Sequence, residues 1–161
     1  IALEPYTWYP QRAGRPDLAF PRAVETGAIA DLNVRQELAK LICMKKASDL
    51  AAENASEKRK AGNAAIIPEG SIGKLAASEI ARQASHVHTL VSGADAMLSG
   101  ADSAMEGVIA EILVSVPAIS IAGGTDEIQK NIISERVLKL PKETRFDTDR
   151  PFREVPRNIV E

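Results

Sequence analysis

The sequence is short of several residue types, and each shortage excludes a class of protein. A single cysteine, Cys43, excludes an internal disulfide, disfavours a cysteine-based metal site and suits a reducing cytoplasm. The formal net charge of −2 provides no basic surplus, so we expect no nucleic-acid partner. No apolar run approaches the roughly 18–20 residues that span a bilayer, so we expect no membrane insertion.

Aromatic residues make up only 4% of the chain, and no alternating β-branched run with hairpin turns is present. The 161 residues, 45% of them hydrophobic, suffice for one globular domain with a real core. The chain begins with Ile-Ala-Leu-Glu instead of Met and shows no signal-peptide pattern. We therefore expect a helical protein that is a fragment of a longer polypeptide or a processed product.

Apolar residues at helical spacing predict four helices and hence an all-α, antiparallel helical bundle. A short additional helix is expected within 17–29, where Pro21 permits only a late start. Residues 118–124 are predicted to be extended, and 63–70 to form a surface loop. The predicted units are an N-terminal arm or the end of an upstream element (1–30), the bundle (31–140) and a polar tail (141–161). The four predicted helices are 32–61, 71–92, 102–116 and 126–138.

Several possible chemical sites are weak. Residues 70–75, G-S-I-G-K-L, only superficially resemble a phosphate loop, since Pro68 stands where the first glycine belongs. Ser71 and Lys74 form an S-x-x-K pair without its companion motifs, so Ser71 is better interpreted as a helix N-cap and Gly73 as a point of close helix packing.

The histidines and the cysteine also predict no reactive site. His86 and His88 point about 200° apart on a helix, so they cannot share a metal ion, and we expect a partly exposed pair without chemistry. Cys43 is expected in the core without reactivity. We predict no metal site.

Gly123, Gly124 and Thr125 form the most informative local pattern. Two glycines let the backbone turn sharply and approach another molecule closely. Thr125 is placed to cap a helix whose first turn carries Asp126 and Glu127. The free N–H groups of such a turn can hold an anion, although a plain helix start explains the same spacing.

Residues 121–143, I-A-G-G-T-D-E-I-Q-K-N-I-I-S-E-R-V-L-K-L-P-K-E, closely resemble the closing signature of acyl-CoA dehydrogenases. That signature is approximately G-G-T-S-E-I-Q-R-N-I-I-A-E-R-V-L-G-L-P-R-E. R-Q-E-L-A-K-L at 35–41 and P-E-G-S-I-G-K-L at 68–75 are similar to a branch common among actinobacterial lipid- and sterol-degrading members. The resemblance covers roughly residues 31–161.

The resemblance implies the C-terminal four-helix bundle of an FAD-dependent enzyme that dehydrogenates an acyl-CoA thioester between its α and β carbons. It implies a homo- or hetero-oligomer built as a dimer of dimers, with an electron-transfer flavoprotein as acceptor. By position, it places Gly123, Gly124, Thr125, Glu127 and Gln129 beside the flavin. It makes Arg136 a contact to the CoA substrate.

Three departures from the family pattern concern the catalytic base and the contacts to FAD, and together they count against FAD binding in the usual way. In one large subgroup the catalytic glutamate directly precedes G-T; here that position is Gly123, so no catalytic residue is identified. In another subgroup the base lies on an earlier helix, which falls at or before the start of this chain, and Glu4 is not favoured. A flavin-contacting Q-x-x-G-G stretch is replaced by Thr89-Leu-Val-Ser-Gly93, and no R-x-x-F-G element precedes the first long helix.

Three hypotheses remain open. The chain is the C-terminal domain of an acyl-CoA dehydrogenase, with this fragment alone inactive. Alternatively, it belongs to a non-catalytic subunit of a heteromeric dehydrogenase whose partner supplies the base. A third hypothesis is a structural module for oligomerisation that keeps the signature for packing.

Overall fold

The computed structural model describes residues 13–61, 69–101, 103–142, 147 and 150–155. These residues are helical and contain no β-strand, which confirms the predicted all-α bundle. The α-helices are α1 (Pro16–Glu25), α2 (Leu32–Lys60), α3 (Glu69–Ser92), α4 (Val108–Ser115) and α5 (Asp126–Ile132). Short 3₁₀ segments cover Ala28–Ala30, Gly93–Met97, Ala104–Gly107, Val116–Ser120 and Phe152–Glu154, and a π-helical segment covers Ile133–Val137.

Helix α3 is the central element, because it packs against each of the other four α-helices. One row of its side chains, which includes Ile80, Val87 and Val91, joins a core cluster with residues of α1 and α2. On another side of α3, Ala81 joins a second cluster with Ile109 and residues that follow α4. α3 is therefore buried on two sides, and its small alanines let neighbours approach closely.

The predicted boundaries of the two long helices are confirmed within two residues. α2 spans Leu32–Lys60, and α3 begins at Glu69, slightly earlier than predicted. Because of this earlier start, Ser71 lies inside the helix and the prediction that it is the N-cap is wrong. Gly73 is exposed, and a Cβ built on it meets nothing within 4 Å, so the prediction of close packing there is also wrong. Most of the predicted loop 63–70 lies outside the described residues.

Helix α1 starts at Pro16 and contains Pro21, so the predicted late start is wrong. Pro16 occupies the first turn, where the missing N–H has no intrahelical partner in any case. Pro21 removes only one helical hydrogen bond, and the buried Ala19 and Ala23 fix the helix against the core. Gly27, with φ of 75°, ends this region.

The region around α4 differs most from prediction. Met105 and Glu106 have φ of 56° and 53°, and Gly107 has φ of 87°, so the chain enters α4 through left-handed residues and the helix begins only at Val108. Residues 118–124 are not extended. Instead, a 3₁₀ helix from Val116 to Ser120, started by Pro117, buries Val116 and Ile119 in the second core cluster.

The last helix occupies the predicted span in two forms. It is α-helical over Asp126–Ile132 and π-helical over Ile133–Val137, where Leu138 N–H donates to the Ile133 carbonyl. It ends at Lys139, whose φ of 58° is left-handed. The predicted domain boundaries at 30/31 and 140/141 stay predictions.

Candidate functional site

The Gly123–Gly124 turn is held from within by a glutamine of the helix that follows it. Both glycines are left-handed, with φ of 68° and 89°. Nε2 of the buried Gln129 donates to the carbonyl oxygens of Gly123 at 3.0 Å and Gly124 at 3.3 Å. A Cβ on Gly124 would lie 2.8 Å from this nitrogen, so a side chain there would displace the Gln129 amide in addition to straining the left-handed backbone.

Thr125 caps α5 as predicted. Its Oγ1 accepts a hydrogen bond from the backbone N–H of Ile128 at 3.3 Å. The carboxylate of Glu127 is exposed, and hydrogen bonds from its own backbone N–H and from Thr125 lower its pKa. Glu127 therefore stays ionised at neutral pH, and its negative charge interacts favourably with the positive end of the α5 dipole.

The structure brings four of the six predicted site residues together by hydrogen bonds: Gly123, Gly124, Thr125 and Gln129 with their immediate neighbours. Glu127 shares the same first turn. Arg136 lies further along, in the π-helical segment, with its side chain exposed. None of the hydrogen bonds that hold the turn involves Arg136.

Asp126 is the centre of a buried polar cluster that the sequence analysis did not identify. Its two carboxylate oxygens accept hydrogen bonds from Lys74 Nζ at 2.9 Å and from Arg82 Nη1 at 2.6 Å. The side chains of Lys74 and Asp126 are only 7% and 6% exposed. A signal was present in the sequence, because Lys74, Ser78 and Arg82 recur every four residues and so share one face of α3.

The same row of side chains on α3 also binds the segment that precedes the Gly123–Gly124 turn. Arg82 Nη1 donates to the hydroxyl oxygen of Ser120, and Ser78 Oγ donates to the carbonyl of Ile119 at 3.4 Å. Lys74 Nζ donates in addition to Ser78 Oγ at 3.2 Å. Residues on both sides of the Gly123–Gly124 turn are thus fixed to α3.

These contacts decide the chemistry of Asp126. Burial by itself raises the pKa of the carboxyl, but hydrogen bonds from Arg82, Lys74, Ser78 and Ser120 outweigh burial and hold the pKa far below its usual range. A general base needs a carboxylate that accepts a proton near neutral pH. Asp126 is the one buried carboxylate in the described part of the chain, and it is unsuited to that role.

The geometry does not support the other chemical sites that the sequence offers. Lys74 Nζ binds Asp126 and Ser78, so its position is explained without a phosphate or a nucleophilic Ser71. Among the described residues, no three His, Cys, Asp or Glu side chains are placed to hold a metal ion. Cys43 is exposed, so the prediction of a core position is wrong: Val34, Leu38 and Leu41 define the buried face of α2, and Cys43 lies off it.

The histidine pair was also mispredicted. His86 is exposed, whereas His88 is fully buried and its Nε2 lies 3.1 Å from the carbonyl oxygens of both Gly14 and Arg15. Two acceptors at this distance make Nε2 the protonated nitrogen. Burial lowers the pKa of His88, while the two carbonyls act in the opposite direction. His88 therefore fastens the start of α1 to α3.

Two surface features lie outside the turn. Large apolar side chains are exposed along and around the last helix, including Ile121 at 67%, Ile128 at 49% and Leu138 at 62%. An open groove of about 400 Å³ runs between α1 and α2, lined by apolar side chains such as Phe20, Leu38 and Ile42. The groove contains none of the predicted site residues.

Comparison with known proteins identifies the family. Residues 19–138 match the model of the acyl-CoA dehydrogenase C-terminal domain, so the chain belongs to this family of oxidoreductase domains. No curated protein matches the sequence. No helix in the described ranges combines the length and apolar character needed to cross a bilayer.

A solved structure has the same fold. It is the crystal structure of the ChsE4-ChsE5 complex from Mycobacterium tuberculosis, of which one chain aligns with a TM-score of 0.63 and 21% sequence identity. The alignment covers 80% of this chain and 37% of that chain, so the chain spans well under half the length of this relative. At this identity the similarity establishes the fold.

Proposed function

We propose that the chain is the C-terminal domain of an FAD-dependent acyl-CoA dehydrogenase and that its Gly123–Gly124 turn lies against the flavin. The observation that carries this proposal is the turn itself. Gln129 holds it from the inside, both glycines are partly exposed, and neither presents a side chain to an approaching planar ring. The residues of the turn therefore fit a flavin. When bound, the flavin supplies the redox chemistry by accepting a hydride from the substrate's β carbon.

Each predicted residue then has a defined task. Gly123 and Gly124 permit close approach, and Thr125 keeps the first turn of α5 in place. Gln129 maintains the shape of the turn, and the exposed carboxylate of Glu127 is available to a polar group of the cofactor. Arg136, also exposed, is proposed to contact the CoA part of the substrate.

The proton-abstracting base must come from outside the described turn. Gly123 stands where one large subgroup of the family has its catalytic glutamate. The Asp126 carboxylate is already bound to Lys74 and Arg82. The base that removes the α proton in this reaction should be an unhindered carboxylate whose pKa is raised by a dry site. We therefore infer that this fragment alone is catalytically inert.

Assembly is the second part of the proposal. Exposed Ile121, Ile128 and Leu138 form an apolar surface of the kind that subunit contacts cover. We propose a homo- or hetero-oligomer, arranged as a dimer of dimers, that works in the cytoplasm and passes electrons to an electron-transfer flavoprotein.

A second candidate function is a non-catalytic subunit of a heteromeric dehydrogenase. The absence of a side chain at Gly123 favours it, since a partner then has to supply the base. The solved relative is likewise a complex of two components, ChsE4 and ChsE5. In that case the apolar surface of the last helix contacts an unlike chain.

The flavin spectrum of the intact protein tests these alternatives. An active dehydrogenase is yellow when purified alone, and an acyl-CoA bleaches its flavin absorption under anaerobic conditions. A heteromer subunit becomes yellow and active only after co-expression with its partner. A protein that remains colourless in both preparations contradicts both functions and leaves a structural module for oligomerisation.

A further inference from the structure

We propose that Asp126 is a positioning residue, whose carboxylate, clamped by Lys74 and Arg82 of α3, sets the orientation of the Gly123–Thr125 turn and thereby the affinity of the domain for flavin. The link to flavin rests on the function proposed above. The clamp itself rests only on the geometry of the described residues.

The clamp acts on both ends of the turn. After the turn, Asp126 is bonded to Lys74 and Arg82; before it, Ile119 and Ser120 are bonded to Ser78 and Arg82. The three α3 residues lie on one helical row, so one rigid element holds both ends. Asp126 directly follows Thr125, so a side chain that fixes the position of Asp126 also constrains the turn through a single peptide unit.

Lys74 and Arg82 fix the orientation of the Asp126 carboxylate as well as its distance from α3. Lys74 Nζ and Arg82 Nη1 bind different oxygens of the same carboxylate, at 2.9 Å and 2.6 Å, so the carboxylate cannot rotate without breaking one contact. An apolar side chain in this place packs equally well in several rotations. Buried ion pairs are weak evidence for stability, but in some proteins they specify one arrangement among several.

Asp126 is not required to start the helix, because Thr125 already supplies the capping oxygen. The local charge is also balanced. Arg82 pairs with Glu79 at 2.7 Å as well as with Asp126, so the two cations of the cluster face two carboxylates. The cluster therefore orients the turn without adding a net charge beside it.

The test uses the intact protein with three variants, Asp126→Asn, Lys74→Met and the double variant Lys74→Met/Asp126→Leu. Amide hydrogen exchange over residues 121–129 reports the turn, exchange over α2 serves as internal reference, and flavin fluorescence gives the Kd for FAD. The control variant is Lys45→Ala, which removes an exposed pair with Asp49 on α2.

We expect each single variant to speed exchange over 121–129 and to weaken FAD binding by about tenfold, the lower end of what supporting partners contribute at metal sites. The control should change neither quantity. The double variant replaces both charged side chains with apolar ones, so it separates the effect of the charges from the effect of packing. We expect its turn to exchange as fast as in the single variants even though the protein remains folded.

Three results would overturn the inference. The first is unchanged exchange over 121–129 in Asp126→Asn and Lys74→Met. The second is faster exchange with an unaltered Kd for FAD, which denies the link to flavin. The third is wild-type exchange and affinity in the double variant, which shows that packing alone positions the turn. If the wild-type protein binds no FAD in any preparation, the proposed function fails, and the exchange data still decide whether the clamp exists.

Discussion

The side-chain amide of Gln129 donates to the carbonyl oxygens of both Gly123 and Gly124, so the helix that follows the turn also holds it closed. Gln129 is buried and lies one helical turn beyond the cap residue Thr125. The inner side of the turn is consequently filled by a residue of the same short segment. This arrangement leaves the other side of the two glycines partly exposed.

Gly124→Ala should destabilise the protein by about 2 kcal/mol or more. The left-handed φ of 89° costs an alanine about 1–2 kcal/mol, and the new Cβ would lie 2.8 Å from Nε2 of Gln129. Urea unfolding, monitored by circular dichroism, measures the change in the free energy of unfolding.

Gly73→Ala is the matched control for this prediction. Gly73 lies exposed within α3, and a Cβ there meets nothing within 4 Å. Replacing a helical glycine with alanine should stabilise the protein by roughly 0.5–1 kcal/mol. If both substitutions shift the free energy in the same direction, the special role of the Gly124 backbone is refuted.

Lys74→Met should destabilise the protein by up to about 3 kcal/mol, the lower end of the cost of breaking a buried ion pair, because Arg82 still contacts the buried Asp126 carboxylate. Lys45→Ala, which breaks an exposed pair at 2.5 Å, should cost no more than about 0.5 kcal/mol. Thermal and urea unfolding of the two variants measure the contrast. Equal losses in the two variants would show that burial adds nothing to the Lys74–Asp126 pair.

The stability of the protein should decrease as the pH falls from about 7.5 to 5.5. Burial lowers the pKa of His88 in the folded state, whereas an unfolded histidine takes up its proton near pH 6.5. The unfolded chain therefore binds more protons in this range, and stability rises with pH. Asp126, with its lowered pKa, acts only in the acid range below about pH 4.

Variants of the two histidines separate their contributions to this pH dependence. His88→Gln should flatten the dependence of the free energy of unfolding on pH between 5.5 and 7.5. His86→Gln, at an exposed position one half-turn away, should retain the wild-type slope. A wild-type slope in His88→Gln would rule out His88 as the group that titrates.

Lys139→Gly should stabilise the protein by about 1 kcal/mol. Lys139 has a left-handed φ of 58° just after the last helix, a position that glycine adopts without strain. The next residue closes the helix end, since Leu140 N–H donates to the Ser134 carbonyl at 3.0 Å. Lys130→Gly, inside α5, should instead cost about 1 kcal/mol, and thermal unfolding of both variants gives the sign. A stability loss in Lys139→Gly would contradict strain at this position.

The long helices were predictable because their signals are local. Apolar spacing on α2 and α3 identified both elements within two residues, and Thr125 was recognised as a cap from its position before two acidic residues. The backbone hydrogen bonds of these helices and the bond that Thr125 accepts from Ile128 N–H join residues three or four positions apart. Local patterns record such interactions directly.

The errors arise where distant contacts override local preference. Nothing in the neighbourhood of His88 indicates that the carbonyls of Gly14 and Arg15, more than 70 residues earlier, surround its ring. The Lys74–Asp126 pair joins residues 52 positions apart and is likewise invisible to a sequence window. Residues 118–124 were predicted to be extended, but burial of Val116 and Ile119 in the second core cluster favours a 3₁₀ helix over Val116–Ser120.

The π-helical segment from Ile133 to Val137 changes the direction in which the end of the chain's last helix faces. A hydrogen bond that spans five residues accommodates one residue more than an α-helical turn, so later side chains are rotated by about 100° from the α-helical register. Ile128 precedes this shift, and Leu138 and Leu140 follow it. The exposed Leu138 therefore faces a different direction from the one that uninterrupted α-helical spacing after Ile128 would give it.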